Sequence, residues 1–279
     1  MPAKAGRYHH GDLRSALVDA AIGVIAERGV RDFSMAEASR RLGVTTAAPY
    51  RHFADRDELL AAVATRALTV FAAMLSAAAN AAVDDHAGRA DQSDHADQAG
   101  HADQSDHADQ AGHADQAGHA GHAGHAGPAD HAHHAVDTSA ERLAAMAGAY
   151  VRFAAQQRPL FDTLFNSGLD KSRHPELQRA WEPVEALLAA AVLAVCDGDA
   201  VAAEALSDAI EASAHGYAML LTDGEYGHGP DVVGATADRA TAAARALIAG
   251  RGALQTKAQQ WAPGLATGAR RSYERRAAG

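Results

Sequence analysis

A chain of 279 residues with 48% hydrophobic side chains can bury a core and is long enough for two small domains. Its single cysteine, Cys196, excludes a disulfide scaffold, and the first 30 residues contain no apolar run of the length that export or membrane spanning needs. A soluble, cytoplasmic protein with no membrane association is the expectation. The net charge of -10 looks hostile to nucleic acid until it is located: residues 84–135 hold ten Asp and only Arg89, whereas residues 1–56 hold nine Lys and Arg against six Asp and Glu.

No stretch alternates apolar and polar residues long enough for a sheet, and helical spacing recurs elsewhere, so the fold class is all-α. Leu13, Leu17, Ala20, Val24 and Ile25 form the stripe of a first helix that Gly29 ends. Ser34 and Glu37 form a capping box for a second helix running to Leu42. Gly43 and Val44 then turn the chain into a further short helix starting at Thr45 or Thr46, which leaves Pro49 in its first turn. Asp55 and Glu58 repeat the capping pattern before the stripe Leu59, Leu60, Val63, Ala67, Val70, Phe71 and Met74.

Two short helices joined by a glycine-containing turn make a helix-turn-helix, whose second helix enters the major groove of DNA. Ala38, Leu42, Val44, Ala48 and Phe53 face inward in this reading, while Thr46, Ala47, Tyr50 and Arg51 offer small, hydroxyl and guanidinium groups to bases and phosphates. The local alternatives are that Ser34 only caps its helix, that His52 packs, and that Tyr50 pins the helix to its domain.

Residues 8–71 resemble the DNA-binding domain of the TetR family of bacterial transcriptional regulators, through HGDLRSALVDAA at 10–21, FSMAEASRRLGV at 33–44 and TTAAPYRHFADRDELLAAV at 45–63. The resemblance implies base-edge contacts from Thr46 and Ala47, with Tyr50 at the groove edge. It implies phosphate contacts from Ser34, Thr45, Tyr50, His52 and Arg56. Phosphate contacts fix register on the duplex without reading sequence.

The expected division is a helix-turn-helix domain over 1–60, a connecting helix over 61–83, an insertion over 84–135, an effector-binding and dimerisation domain over 136–252 and a mobile basic tail over 253–279. The insertion repeats HADQ and then HAG, has no Leu, Ile, Phe or Met, and reads as disordered. It holds eleven of the 17 His, and imidazole suits Zn, Ni or Cu, so a metal-binding or metal-sensing protein is the alternative function. No fixed geometry for a metal is legible, and no metal site or cofactor is assigned.

After the insertion, residues 138–252 read as five helices, the first opened by a capping box at Thr138 and Glu141. This block resembles the TetR C-terminal class with a Trp-His-Gly signature, in Arg158-Pro159-Leu160-Phe161 and His215-Gly216. It departs from that class where Ala214 stands in place of the Trp. The resemblance implies a homodimer, built by the last two helices, and a pocket for a small-molecule effector. A twofold dimer implies a palindromic double-stranded operator, released when the effector favours a mismatched spacing. Met146, Tyr150, Phe161, Phe165, Trp181, His215 and Met219 are the candidate lining, although such a stripe also describes ordinary core. No HExxH, GxSxG or phosphate loop occurs, so no enzyme is expected.

Overall fold

The computed structural model describes residues 12–100 and 128–261. Among them are nine α-helices and no strand. The N-terminal helices are α1 (Asp12–Arg28), α2 (Met35–Leu42) and α3 (Arg56–Gly100), with a 3-10 turn at Pro49–Arg51 between the last two. Then follow α4 (Pro128–Gln156), α5 (Arg158–Asn166), a second 3-10 turn at Lys171–Arg173, α6 (Pro175–Val195), α7 (Ala200–Thr222), α8 (Pro230–Ala249) and α9 (Arg251–Trp261).

The N-terminal unit closes because each helix end is satisfied by its own neighbourhood. Gly29 adopts φ 82 and donates to the Ile25 carbonyl, ending α1 where a side chain would be strained. Ser34 caps α2 by accepting the Glu37 amide. The expected reciprocal bond does not form, because the Glu37 carboxylate pairs with Arg28 and Arg40. At the start of α3 Asp55 accepts the Glu58 amide, and the Glu58 carboxylate reaches one residue past the cap to accept the Ala54 amide. Leu17, Val24 and Ile25 of α1 pack with Phe33, Met35, Phe53, Leu59 and Val63 in one core, which Leu68, Phe71 and Leu75 carry along α3 into the second unit.

In the second unit α4 is the central rod, touching α3, α6, α7 and α8. The Thr138–Glu141 box proves not to be a cap. Both residues lie inside α4, which starts ten residues earlier at Pro128, so the Thr138 position is already within a continuous helix. Glu141 instead takes a bidentate hold from Arg245 of α8, with contacts of 2.7–3.2 Å. Packing of α4 on α8 is close: a Cβ built on Gly148 would stand 2.4 Å from Thr241 Oγ1 and 3.1 Å from the Ala237 carbonyl.

Two expected boundaries shift. The flanking helices reach into the 84–135 tract, α3 to Gly100 and α4 from Pro128, and residues 101–127 lie outside the described residues. The tail expected from residue 253 begins instead as α9, which packs on α7 and ties Gln255 to Asp199 at 2.7 Å; its last residues, 262–279, are outside the description. By length and composition, residues 56–85 could cross a membrane, and half of that apolar stretch is buried in this core.

Candidate nucleic-acid interface and effector cavity

The interface is built on the turn after α2. Gly43, at φ 70, donates to the Arg40 carbonyl while Val44 donates to Ser39, a Schellman closure that throws the chain away from the domain. The expected α-helix from Thr45 or Thr46 is replaced by successive tight turns, with Ala48 donating to Thr45 and Arg51 to Ala48. Pro49 has no amide to give the Thr45 carbonyl, which the Ala48 amide takes instead, and a four-residue bond returns from the Phe53 amide to the Pro49 carbonyl at 2.9 Å. Pro49 and Phe53 are buried, and the Arg14 guanidinium lies 4.9 Å over the Phe53 ring.

That anchorage leaves one polar surface outward. Thr45, Thr46, Ala47 and Arg51 are exposed, Tyr50 is 58% exposed, Ser34 is exposed at the cap of α2, and His52 is half-buried. Tyr50 therefore does not pin the turn to the domain. Several neighbouring cations are already engaged: Arg28 and Arg40 with Glu37, and Arg41 with Glu27 at 2.6 Å. Among the described residues Arg51 has no ion-pair partner, and it is exposed on this face.

Arg56 is the exception among the residues expected at phosphates. Its Nη2 donates to the Val30 carbonyl at 2.8 Å and its Nε to the Phe33 carbonyl at 3.1 Å, with the guanidinium 5.8 Å from the Phe33 ring. Its remaining nitrogen reaches Asp57 at 3.5 Å. The side chain clamps the α1–α2 connection onto the start of α3, using carbonyls that the chain leaves unpaired there.

A cavity of about 370 Å³ lies in the second unit among α3, α4, α6 and α7. Four of the seven expected lining residues are there: Met146, Tyr150, Phe165 and Trp181. Phe161, His215 and Met219 are not. Phe161 is fully buried behind the wall, with Tyr150, Phe153, Phe165 and His215 around it, and Met219 packs against the core. His215 supports the wall from behind: the Tyr150 hydroxyl and its Nδ1 share a hydrogen bond of 2.8 Å. Burial holds the imidazole below its ordinary range and drives the Tyr150 hydroxyl up.

The polar part of the cavity escapes a reading of apolar stripes. Glu185 of α6 and Asp208 and Glu211 of α7 line it and are exposed at its mouth. Burial first, and then Asp208, raise the Glu211 carboxyl; burial and Glu204 raise that of Asp208. The spacing of Glu204, Asp208 and Glu211 along an Ala-rich helix puts them on one face, which was the available signal.

Comparison with known proteins agrees with this geometry. Residues 17–63 match the model described as "Bacterial regulatory proteins, tetR family", and residues 143–247 match "Tetracyclin repressor-like, C-terminal domain". The chain belongs to the TetR family. As a TetR-family member it is a DNA-binding transcriptional regulator with an N-terminal helix-turn-helix and a helical C-terminal domain. A solved structure described as that of a protein with unknown function from Rhodococcus sp. RHA1 has the same fold, with a TM-score of 0.55 at 23% identity over 88% of this chain and 98% of that chain. No curated protein matches the sequence. Among the described residues of this TetR-family regulator no three His, Cys, Asp or Glu side chains gather as metal ligands, and most of the His-rich tract lies outside them. Cys196 is buried, which pushes its thiol up to about 11 and keeps it protonated at neutral pH.

Proposed function

We propose that the protein is a cytoplasmic, homodimeric repressor, not an enzyme, that binds a palindromic operator and leaves it when a small molecule enters the 370 Å³ cavity. The observation that carries this reading is the outward set Thr45, Thr46, Ala47, Tyr50 and Arg51, held on the buried Pro49 and Phe53. Thr46 and Ala47 meet base edges. Ser34, Thr45, Tyr50, Arg51 and His52 hold phosphates, and Arg56 acts behind them as a clamp rather than as a phosphate ligand.

For the dimer, α7 and α8 are the favoured faces. Leu220 is an exposed large apolar side chain, and a Cβ on Gly216 or Gly234 would meet open space, so the helices of a second copy can approach closely. For release, Phe71 and Leu75 of α3 line the cavity, and α5, which carries Phe165, packs on α1. An occupant that displaces these side chains tilts the DNA-binding unit through α1 and α3 and changes the spacing of the two recognition segments.

Selection of bound DNA from a random pool tests the reading. The expected product is a twofold-symmetric site with half-sites about 34 Å apart or a multiple of it, bound with affinity that falls steeply as salt rises. An asymmetric site, or binding indifferent to salt, would contradict it.

A further inference from the structure

The cavity's own chemistry points to the class of molecule it takes, provided the cavity is the effector site proposed above. Its walls are Tyr150, Phe165 and Trp181, and its mouth carries Glu185, Asp208 and Glu211. Among the described residues that line it three are acidic and none is basic, so its field is negative and an anionic molecule is repelled on entry.

A cation already samples this environment. The Lys171 ammonium, carried on the short turn between α5 and α6, stands 5.4 Å from the centroid of Phe165 and 5.4 Å from that of Trp181. It also interacts electrostatically with Glu211, while partial burial lowers its proton affinity. Rings that attract one ammonium attract another, and a quaternary cation carries a weaker hydration shell into the site than a lysine does. The volume of about 370 Å³ falls within the ordinary range of small-molecule sites, roughly 300–1,000 Å³.

We propose that the effector is an amphipathic organic cation, its charged centre held by Glu211, Asp208 and the Phe165 and Trp181 faces in place of the Lys171 ammonium, its apolar body against Met146 and Leu188. The short Lys171 turn then swings outward, and the occupant presses on α3.

Tetraphenylphosphonium and tetraphenylborate, alike in shape and opposite in charge, test this on the full chain. Trp181 fluorescence reports binding, with Trp261→Phe leaving it as the single indole. Tetraphenylphosphonium is expected to bind at least about tenfold more tightly than tetraphenylborate, a preference of the size that ring and carboxylate contacts supply. Glu211→Gln, at an exposed position, is expected to shrink that preference several-fold, and Lys171→Met to strengthen phosphonium binding. Equal affinity for the two ions, preference for the borate, binding of neither, or weaker phosphonium binding in Lys171→Met overturns the proposal. Operator release is read separately. Release by tetraphenylborate would sink the ligand class and keep the regulatory reading, whereas phosphonium binding with DNA still held would do the reverse.

Discussion

Arg56 separates two roles that a side chain near a recognition segment can play. Its guanidinium makes two charge-assisted bonds to main-chain carbonyls, at 2.8 Å to Val30 and 3.1 Å to Phe33, across 26 and 23 residues of chain. Hydrogen bonds to a charged group contribute about 1.5–3 kcal/mol each, and partial exposure of Arg56 places them toward the lower end. Arg56→Ala should therefore destabilise the fold by about 3 kcal/mol, lowering the melting temperature by roughly 6–12 °C at the per-kcal shift expected for a chain of this size. Arg56→Lys keeps the charge but cannot span both carbonyls, so it should lose about half as much. Thermal melts of the three proteins give these values, and gel-shift titrations at several salt concentrations give the second half of the test. A clamp leaves the slope of log affinity against log salt unchanged, whereas a phosphate ligand removes about one from it. An unaltered melting temperature together with a slope reduced by about one in Arg56→Ala would refute the clamp.

Three further expectations follow from particular contacts. Gly148→Ala places a methyl against Thr241 Oγ1 and the Ala237 carbonyl and should cost about 1–3 kcal/mol in denaturant unfolding, part of it recovered by Thr241→Ala; additive effects would deny the contact. Because burial holds the folded His215 imidazole below its ordinary range, the unfolded chain binds more protons and stability falls as pH drops through that range. Denaturation at pH 7.5 and 5 should show this loss, reduced in His215→Gln, and an equal loss in both proteins would remove His215 from the cause. Replacing residues 101–127, which hold six of the tract's eleven His, with a short Gly/Ser linker should leave operator affinity unchanged and cut nickel or zinc uptake by about half; a weaker operator complex would make the tract part of the DNA-binding machinery.

The N-terminal unit was legible wherever the physics is local. Ser34, Gly43 and Asp55 announce helix ends through bonds that span only a few residues, and all three do what their type predicts. The segment at Pro49 is a 3-10 turn in place of the expected α-helix, and proline's missing amide removes only the four-residue bond to the Thr45 carbonyl. Arg56 could not be read, since its partners lie more than twenty residues away and become neighbours only after folding. The Thr138–Glu141 box failed for a different reason, as a cap motif has no force where the chain before it is already helical.

In the cavity, helical spacing pointed to aromatic residues, of which Tyr150, Phe165 and Trp181 line it and Phe161 and His215 do not. The acidic half escaped that reading, because Asp208 and Glu211 look like a solvated face until α6 stands opposite them. Phe161 stands one turn before Phe165 on α5 yet is fully buried while Phe165 lines the cavity, a distinction of depth that periodicity does not carry.

The central claim is that Thr46 and Ala47 read base edges while the frame behind them sets position. Repeating the DNA selection with Thr46→Asn measures it directly. The account predicts a changed preference at one or two symmetry-related positions of the site, with half-site spacing and salt dependence as in the parent protein. An identical selected sequence from parent and variant, each binding with the same affinity, would contradict it.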